Sequence, residues 1–246
     1  MRISRSLAII CPVLALLLPL SASAQSQDIH ALRIVTQAFE KAKRDNKLKD
    51  EFTSKRTHQI DNLNTEGRFE SVEKVAIFKI YIKKGKLVQE LVDIWPKGSS
   101  PARNPVDFDK LLDAFLSRFY FLLSPEREEM DSQSCYKIHF WPKENLPPER
   151  EESDYILNRI SGVIYITERT YSVKEIDASL SRNVNMANIF YSFYMDRLDL
   201  KVTFRDWRRL GLPDKITATT RYSYRKIFST TRRYQTHSLY YEYGVR

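Results

Sequence analysis

From Leu198 to Phe204 the chain reads LDLKVTF, so Leu198, Leu200, Val202 and Phe204 alternate with Asp199, Lys201 and Thr203. A period of two places the first set on one face of a pleated strand and the second on the other. The pattern breaks at Asp206 and Trp207, which swap roles. A strand of this kind must cover one face and wet the other. What the apolar face touches, a closed core or a carried molecule, is the question the rest of the chain has to answer.

Similar segments recur. Extended runs are predicted at 51–61, 69–82, 86–95, 134–141, 189–206, 215–228 and 231–243, with a hairpin over 162–180. The turns between them carry Asn, Asp, Gly and Pro, as in Asp61 to Gly67 (DNLNTEG), Lys84-Gly85 and Gly211 to Pro213 (GLP). Val163, Ile164, Tyr165 and Ile166 are apolar on both faces, which predicts a central strand covered on both sides. Two substantial helices are expected. Asp28 is an N-cap for the first, whose stripe is Ala31, Val35, Ala38 and Ala42, flanked by Leu32 and Phe39. The second follows the breaker Pro96 to Pro105 and starts near Asp107 or Asp109. Its wide stripe is Phe108, Leu111, Leu112, Phe115, Leu116 and Phe119. A short third helix is expected over 154–160, the charged stretch 124–131 reads as a solvated loop, and a polar stretch follows at 181–188. The fold class is therefore α+β. About nine or more antiparallel strands form a strongly curved sheet, a half-open β-barrel, with helices covering the concave face.

The first 24 residues predict export. Arg2 and Arg5 precede an apolar run from Leu7 to Leu20, and Ala22-Ser23-Ala24 supplies small residues for cleavage. The run is too short for a membrane span of about 20 residues. Cys11 lies inside it, away from the cut, so lipid attachment there is not expected. Residues 25–246 would form a single periplasmic domain with Cys135 as its one cysteine, hence no internal disulfide and no Cys-rich zinc site. The formal charge of +9 falls to +7 when the two leader arginines go. Outside the cytoplasm a basic surface fits anionic head groups better than nucleic acid, which is not expected as a partner.

The hairpin SGVIYITERTYSVKEIDASL, Ser161 to Leu180, resembles a segment of the LolA/LolB-like family of outer-membrane lipoprotein-sorting proteins. There a glycine opens a strand and the return arm ends in an alternating Ile/Asp/Leu run. SCYKIHFWPKE, a strand ending at Pro142 before a charged loop, and GLPDKITATTRYSYRKIF, entered through a leucine-proline pair, are also similar to it. The resemblance spans about 28–243 in element order and 134–228 in sequence flavour. It implies a half-open barrel plugged by helices. It also implies a role in carrying or receiving lipoprotein acyl chains, although relatives of this fold act as stress-sensing regulators or, in a few cases, enzymes. The chain departs from the receptor branch in lacking a cysteine at the cleavage point.

No His-Glu-x-x-His, Gly-x-Ser-x-Gly, Cys-x-x-Cys or phosphate-loop pattern occurs, and six glycines leave no Gly-rich cradle. His30, His58, His139 and His237 lie far apart, so no catalytic residue, metal ligand or cofactor is assigned. The expected ligand wall is Leu198, Leu200, Val202 and Phe204, extended by Tyr136, Ile138 and Phe140. The lid is Phe108, Leu112, Phe115 and Phe119. Burying one methylene is worth about 0.8 kcal/mol, so an acyl chain of about 14 groups gains roughly 11 kcal/mol before ordering costs. Binding of a lipid or a lipid-modified protein needs no polar motif. The alternative is an envelope regulator or scaffold that binds another envelope protein through a basic surface around Arg221, Arg225, Arg232 and Arg233.

Overall fold

The structure, a computed structural model, describes residues 28–48, 52–83, 86–98, 108–146, 148–149, 152–187, 191–207, 210–226 and 232–245. The expected signal peptide, with Cys11, lies outside the described residues. The elements run α1 (Ile29–Leu48), β1 (Phe52–Leu63), β2 (Phe69–Lys83), β3 (Lys86–Trp95), α2 (Phe108–Arg118), β4 (Phe119–Met130), β5 (Gln133–Pro142), α3 (Glu152–Leu157), β6 (Ile160–Thr167), β7 (Val173–Leu180), β8 (Val184–Ala187), β9 (Tyr191–Trp207), β10 (Leu210–Lys226) and β11 (Arg232–Val245).

All the strands join one antiparallel sheet in the order β3-β2-β1-β11-β10-β9-β7-β6-β5-β4, with β8 paired to β9. The sheet is open: β3 and β4 are its edges. The chain closes the order in the middle, where β1 pairs with the last strand, Arg56 opposite Tyr240 and His58 opposite Ser238. The β9 segment that opens the sequence sits centrally. Val202 faces Ile176 of β7 and Ile216 of β10, and Leu200 faces Ala178 and Ala218. A bulge at Asp196, between the pairs Arg221↔Arg197 and Tyr222↔Met195, switches which residues face the core. Phe193 and Met195 face it before the bulge, Leu198 and Leu200 after it.

Helix α1 starts as expected. The Asp28 carboxylate accepts the backbone N–H of His30 at 2.9 Å and of Ala31 at 3.1 Å. Its other oxygen accepts the Leu123 N–H of β4 at 3.1 Å, so one side chain caps the helix and ties it to the sheet. Ala31, Ile34, Val35, Ala38 and Phe39 are buried, the i, i+3, i+4, i+7, i+8 stripe of a helix pressed on a sheet.

Helix α2 ends one residue sooner than its apolar stripe predicts. Phe119 belongs to β4, and the chain passes from helix to strand without a loop. The stretch Ser124 to Met130, read as a solvated loop, is the outer half of that strand. Its charges made it look like a loop, but β4 is an edge strand, where an exposed charged row is tolerated and discourages pairing with other chains. Likewise the polar stretch after Leu180 contains β8. Strand β6 is interior, with Ile164 and Ile166 fully buried, but Val163 and Tyr165 are only half-buried, so its second face is not covered as expected. Gly162 explains the hairpin's opening glycine. A Cβ there would lie 2.0 Å from the Asp177 carbonyl oxygen on β7.

Candidate functional site

Cross-strand register puts one residue set on a single face of the sheet from β4 to β2, and that face changes character halfway. In the first half it carries the main core. Leu112 and Phe115 of α2, Phe119 and Phe121 of β4, Ile138 and Phe140 of β5, Ile164 of β6, Ala178 of β7 and Leu198 of β9 share one cluster with the α1 stripe. The rings interlock: Phe115 lies 4.3 Å from Phe119, 4.9 Å from Phe140 and 5.7 Å from Phe39, centroid to centroid.

The expected wall and lid residues are thus brought together, and in this half they touch each other directly. Leu112, Phe115, Phe119, Ile138, Phe140 and Leu198 are buried core. Tyr136 and Leu200 are half-buried and packed against it. Val202 and Phe204 are half-buried further along β9, outside that cluster. Phe108 begins α2, and its side chain lies outside the description. The C-terminal end of α2 is held firmly. Lys143 donates to the Ser117 carbonyl at 2.9 Å, satisfying a helix-end acceptor. Arg118 donates to Asn158 at 2.5 Å and Asp154 at 2.6 Å, joining the helix end to α3.

In the second half the same face is aromatic and polar. Tyr222 of β10 lies between Phe193 at 5.5 Å and Tyr234 at 5.1 Å. Burial, then Tyr234 and Glu73, push its phenol up to about 12. Thr220 and Thr236 share a hydrogen bond across β10 and β11 at 3.1 Å. Next comes β1, where Arg56 stands between its two cross-strand neighbours. Its guanidinium carbon lies 4.7 Å above the Phe78 ring and 5.9 Å from the Tyr240 ring. A small second core of Ala76, Phe78 and Ile80 supports it, with Ile94 and Tyr240 packed alongside. His58 shares a 2.9 Å hydrogen bond with Ser238. Burial, then the charges of Arg56, Lys74 and His237, lower its pKa to about 4, which keeps the ring neutral. Sequence reading missed this half. In β1 the face residues are Ser54, Arg56, His58 and Ile60, and only the last is apolar.

The basic surface is partly neutralised. Arg221 pairs with Asp196 at 2.8 Å. Arg233 donates to the Thr65 carbonyl. Arg225 and Arg232 occupy positions on β10 and β11, and their side chains lie outside the description. A groove of about 380 Å³ lies between the outer flank of α1 and the turn after β6, lined by Thr36, Gln37, Glu40, Lys41, Arg44, Thr170 and Tyr171, away from the face just described. Among the described residues no group of three or more His, Cys, Asp or Glu is placed to hold a metal ion, and no helix is long and apolar enough to cross a membrane.

These features define an open antiparallel sheet with few helices and an unevenly covered face. The chain is similar to a DUF1329 family protein from Desulfovibrio piger at 12% identity and TM-score 0.34, over 86% of this chain and 92% of that one. It is similar to a LolA superfamily protein from Nitrosomonas europaea, the family that the hairpin resembles, at 9% identity and TM-score 0.33, over 86% and 93%. It is also similar to MucB, solved in complex with the periplasmic part of MucA, at 7% identity and TM-score 0.25, over 84% and 93%. No family model matches the chain. No curated protein matches it either.

Proposed function

We propose that the chain is a periplasmic, non-enzymatic binding protein for a lipid or a lipid-modified protein, working in lipoprotein carriage to the outer membrane. Residues 1–24 would be its cleaved signal and residues 25–246 a single half-barrel domain whose helices plug the concave side. The observation that supports this reading is the break in cover along β9. Leu198 is buried under the helices, whereas Leu200, Val202 and Phe204 continue the same apolar row half-buried. Beside them Ile216, Ala218 and Tyr222 of β10 carry the row on, also half-buried. An acyl chain laid along this row extends the core without a polar motif, each methylene contributing about 0.8 kcal/mol. Tyr136, Ile138 and Phe140 form the floor at its closed end. Helix α2, begun by Phe108, with Leu112 and Phe115 at its apolar side and Phe119 at its junction, would act as a lid that lifts from Phe140 about its anchored Arg118 end. The test is native mass spectrometry of protein purified from periplasm, with uptake of a fluorescent fatty acid. A bound lipid mass and saturable uptake are expected. The bare mass together with no uptake would end the reading.

A second reading is an envelope-stress regulator or scaffold. It is favoured by edge strand β3, where Leu91, Val92 and Trp95 are exposed, Trp95 at 58%. A free edge with apolar side chains can add a strand from another protein. Here the basic residues Arg221, Arg225, Arg232 and Arg233 would steer an acidic partner. A stoichiometric protein partner that persists after delipidation would favour this second reading.

A further inference from the structure

Among the described residues, Arg56 is a cation with no anion paired to it. Its Nε is buried and has no hydrogen-bond partner. No carboxylate among the described residues is paired with it, and what it touches is two aromatic rings. Buried guanidinium N–H groups ordinarily find an acceptor, because leaving one dry costs more than a ring face returns. Among the described residues, none on the neighbouring strand positions is a carboxylate paired with Arg56. Along β1 the same face carries Ser54 and His58. Across from them stand Ile80 and Ala76 on β2 and Ser238 on β11. Lys74 adds positive charge two residues further along the face. Asp214, near Tyr240 on the far side of β11, is already paired with Arg205, and Glu73 lies in the β2 bulge opposite Ile60/Asp61, beside Tyr222. That is four residues along β1 from Arg56, roughly 13 Å at strand spacing. Its own Oε2 is likewise buried without a partner.

We infer that Arg56 is a head-group anchor, binding the carboxylate of a long-chain free fatty acid. The guanidinium lies between Phe78 and Tyr240, and its planar fork of N–H donors is one that a carboxylate accepts with two oxygens. Phe78, Ile80 and Tyr240 flank it with apolar surface for the first methylenes. The Tyr234–Tyr222–Phe193 row then leads along β11, β10 and β9 toward the main core. The site therefore has a charged end and a greasy path, which suits an anionic amphiphile and not a neutral one. This inference rests on the lipid-binding reading above and adds a polarity to it.

The test compares a fluorescent long-chain fatty acid with its methyl ester on the full exported chain. Wild type is expected to bind the acid about 10- to 100-fold more tightly than the ester, the range of a charge-assisted hydrogen bond. Arg56→Met is expected to bind both with the ester's affinity, and Arg56→Lys to keep part of the preference. Equal binding of acid and ester by wild type, or an undiminished preference in Arg56→Met, overturns the anchor and leaves lipid binding standing. Binding of neither probe removes the lipid reading, and the anchor with it. If Arg56→Met does not fold, the wild-type ratio and Arg56→Lys decide: a preference that Arg56→Lys leaves undiminished also overturns the anchor.

Discussion

Removing the Asp28 carboxylate tests whether helix α1 is held to the sheet by its cap. Two functions meet in this one side chain. One oxygen caps α1 through the N–H groups of His30 and Ala31, and the other accepts the N–H of Leu123 in β4. Losing the cap costs about 1 kcal/mol. Losing a backbone hydrogen bond to a charged acceptor costs about 1.5–3 kcal/mol. Asp28→Ala should therefore lose roughly 3 kcal/mol, which for a chain of this size lowers the melting point by about 6–12 °C. Asp28→Asn keeps one oxygen for the cap and gives up the Leu123 acceptor, so it should fall between alanine and wild type. The pH dependence supplies a second check. Burial alone would raise the carboxyl pKa, but hydrogen bonds from Leu123, Ala31 and His30, with the nearby His30 charge, outweigh it and lower the pKa. A lowered carboxyl pKa adds stability above the unfolded value of about 4, and that contribution disappears as the pH falls through the folded value. Chemical denaturation at several pH values measures both effects. An Asp28→Ala loss under about 0.5 kcal/mol, or one that does not shrink in acid, would refute the assignment.

The neutral state of His58 makes stability fall as the pH drops from about 6.5 to about 4, because the unfolded chain takes up the proton first. His58→Gln should flatten that slope by roughly 1–2 kcal/mol, allowing for solvent screening of a half-buried ring, as read from denaturation midpoints across the window. Phe119→Ala should cost about 3–5 kcal/mol in urea unfolding, since it leaves a void against Phe115 and Phe140. Gly162→Ala should cost about 3 kcal/mol or more and lower the soluble yield, because the clash is with the Asp177 backbone and not with a movable side chain.

Where apolar and polar residues alternate, the sequence shows the fold well. The β9 row, the Gly162 hairpin and the α1 cap all stand in the structure as their residues imply. Strand β4 was hidden because edge position, and not solvation of a loop, accounts for the acids of Pro125 to Glu129. The end of α2 was hidden because Phe119 fits the helical stripe as well as the strand that replaces it. The Arg56 site was illegible for a different reason. Its partner Tyr240 lies on the last strand, far away in sequence, Phe78 lies on the next strand, and its own strand shows no apolar rhythm. Only the pairing of the first strand with the last makes that arrangement.

Strands β3 and β4 end the sheet without bonding to each other. In a sealed ring any change of girth must snap a full row of backbone bonds. Here the gap can widen or narrow through small adjustments of twist at each ladder while every bond survives. The sheet can therefore change girth at little enthalpic cost, much as an adjustable clasp takes up different thicknesses without being re-forged.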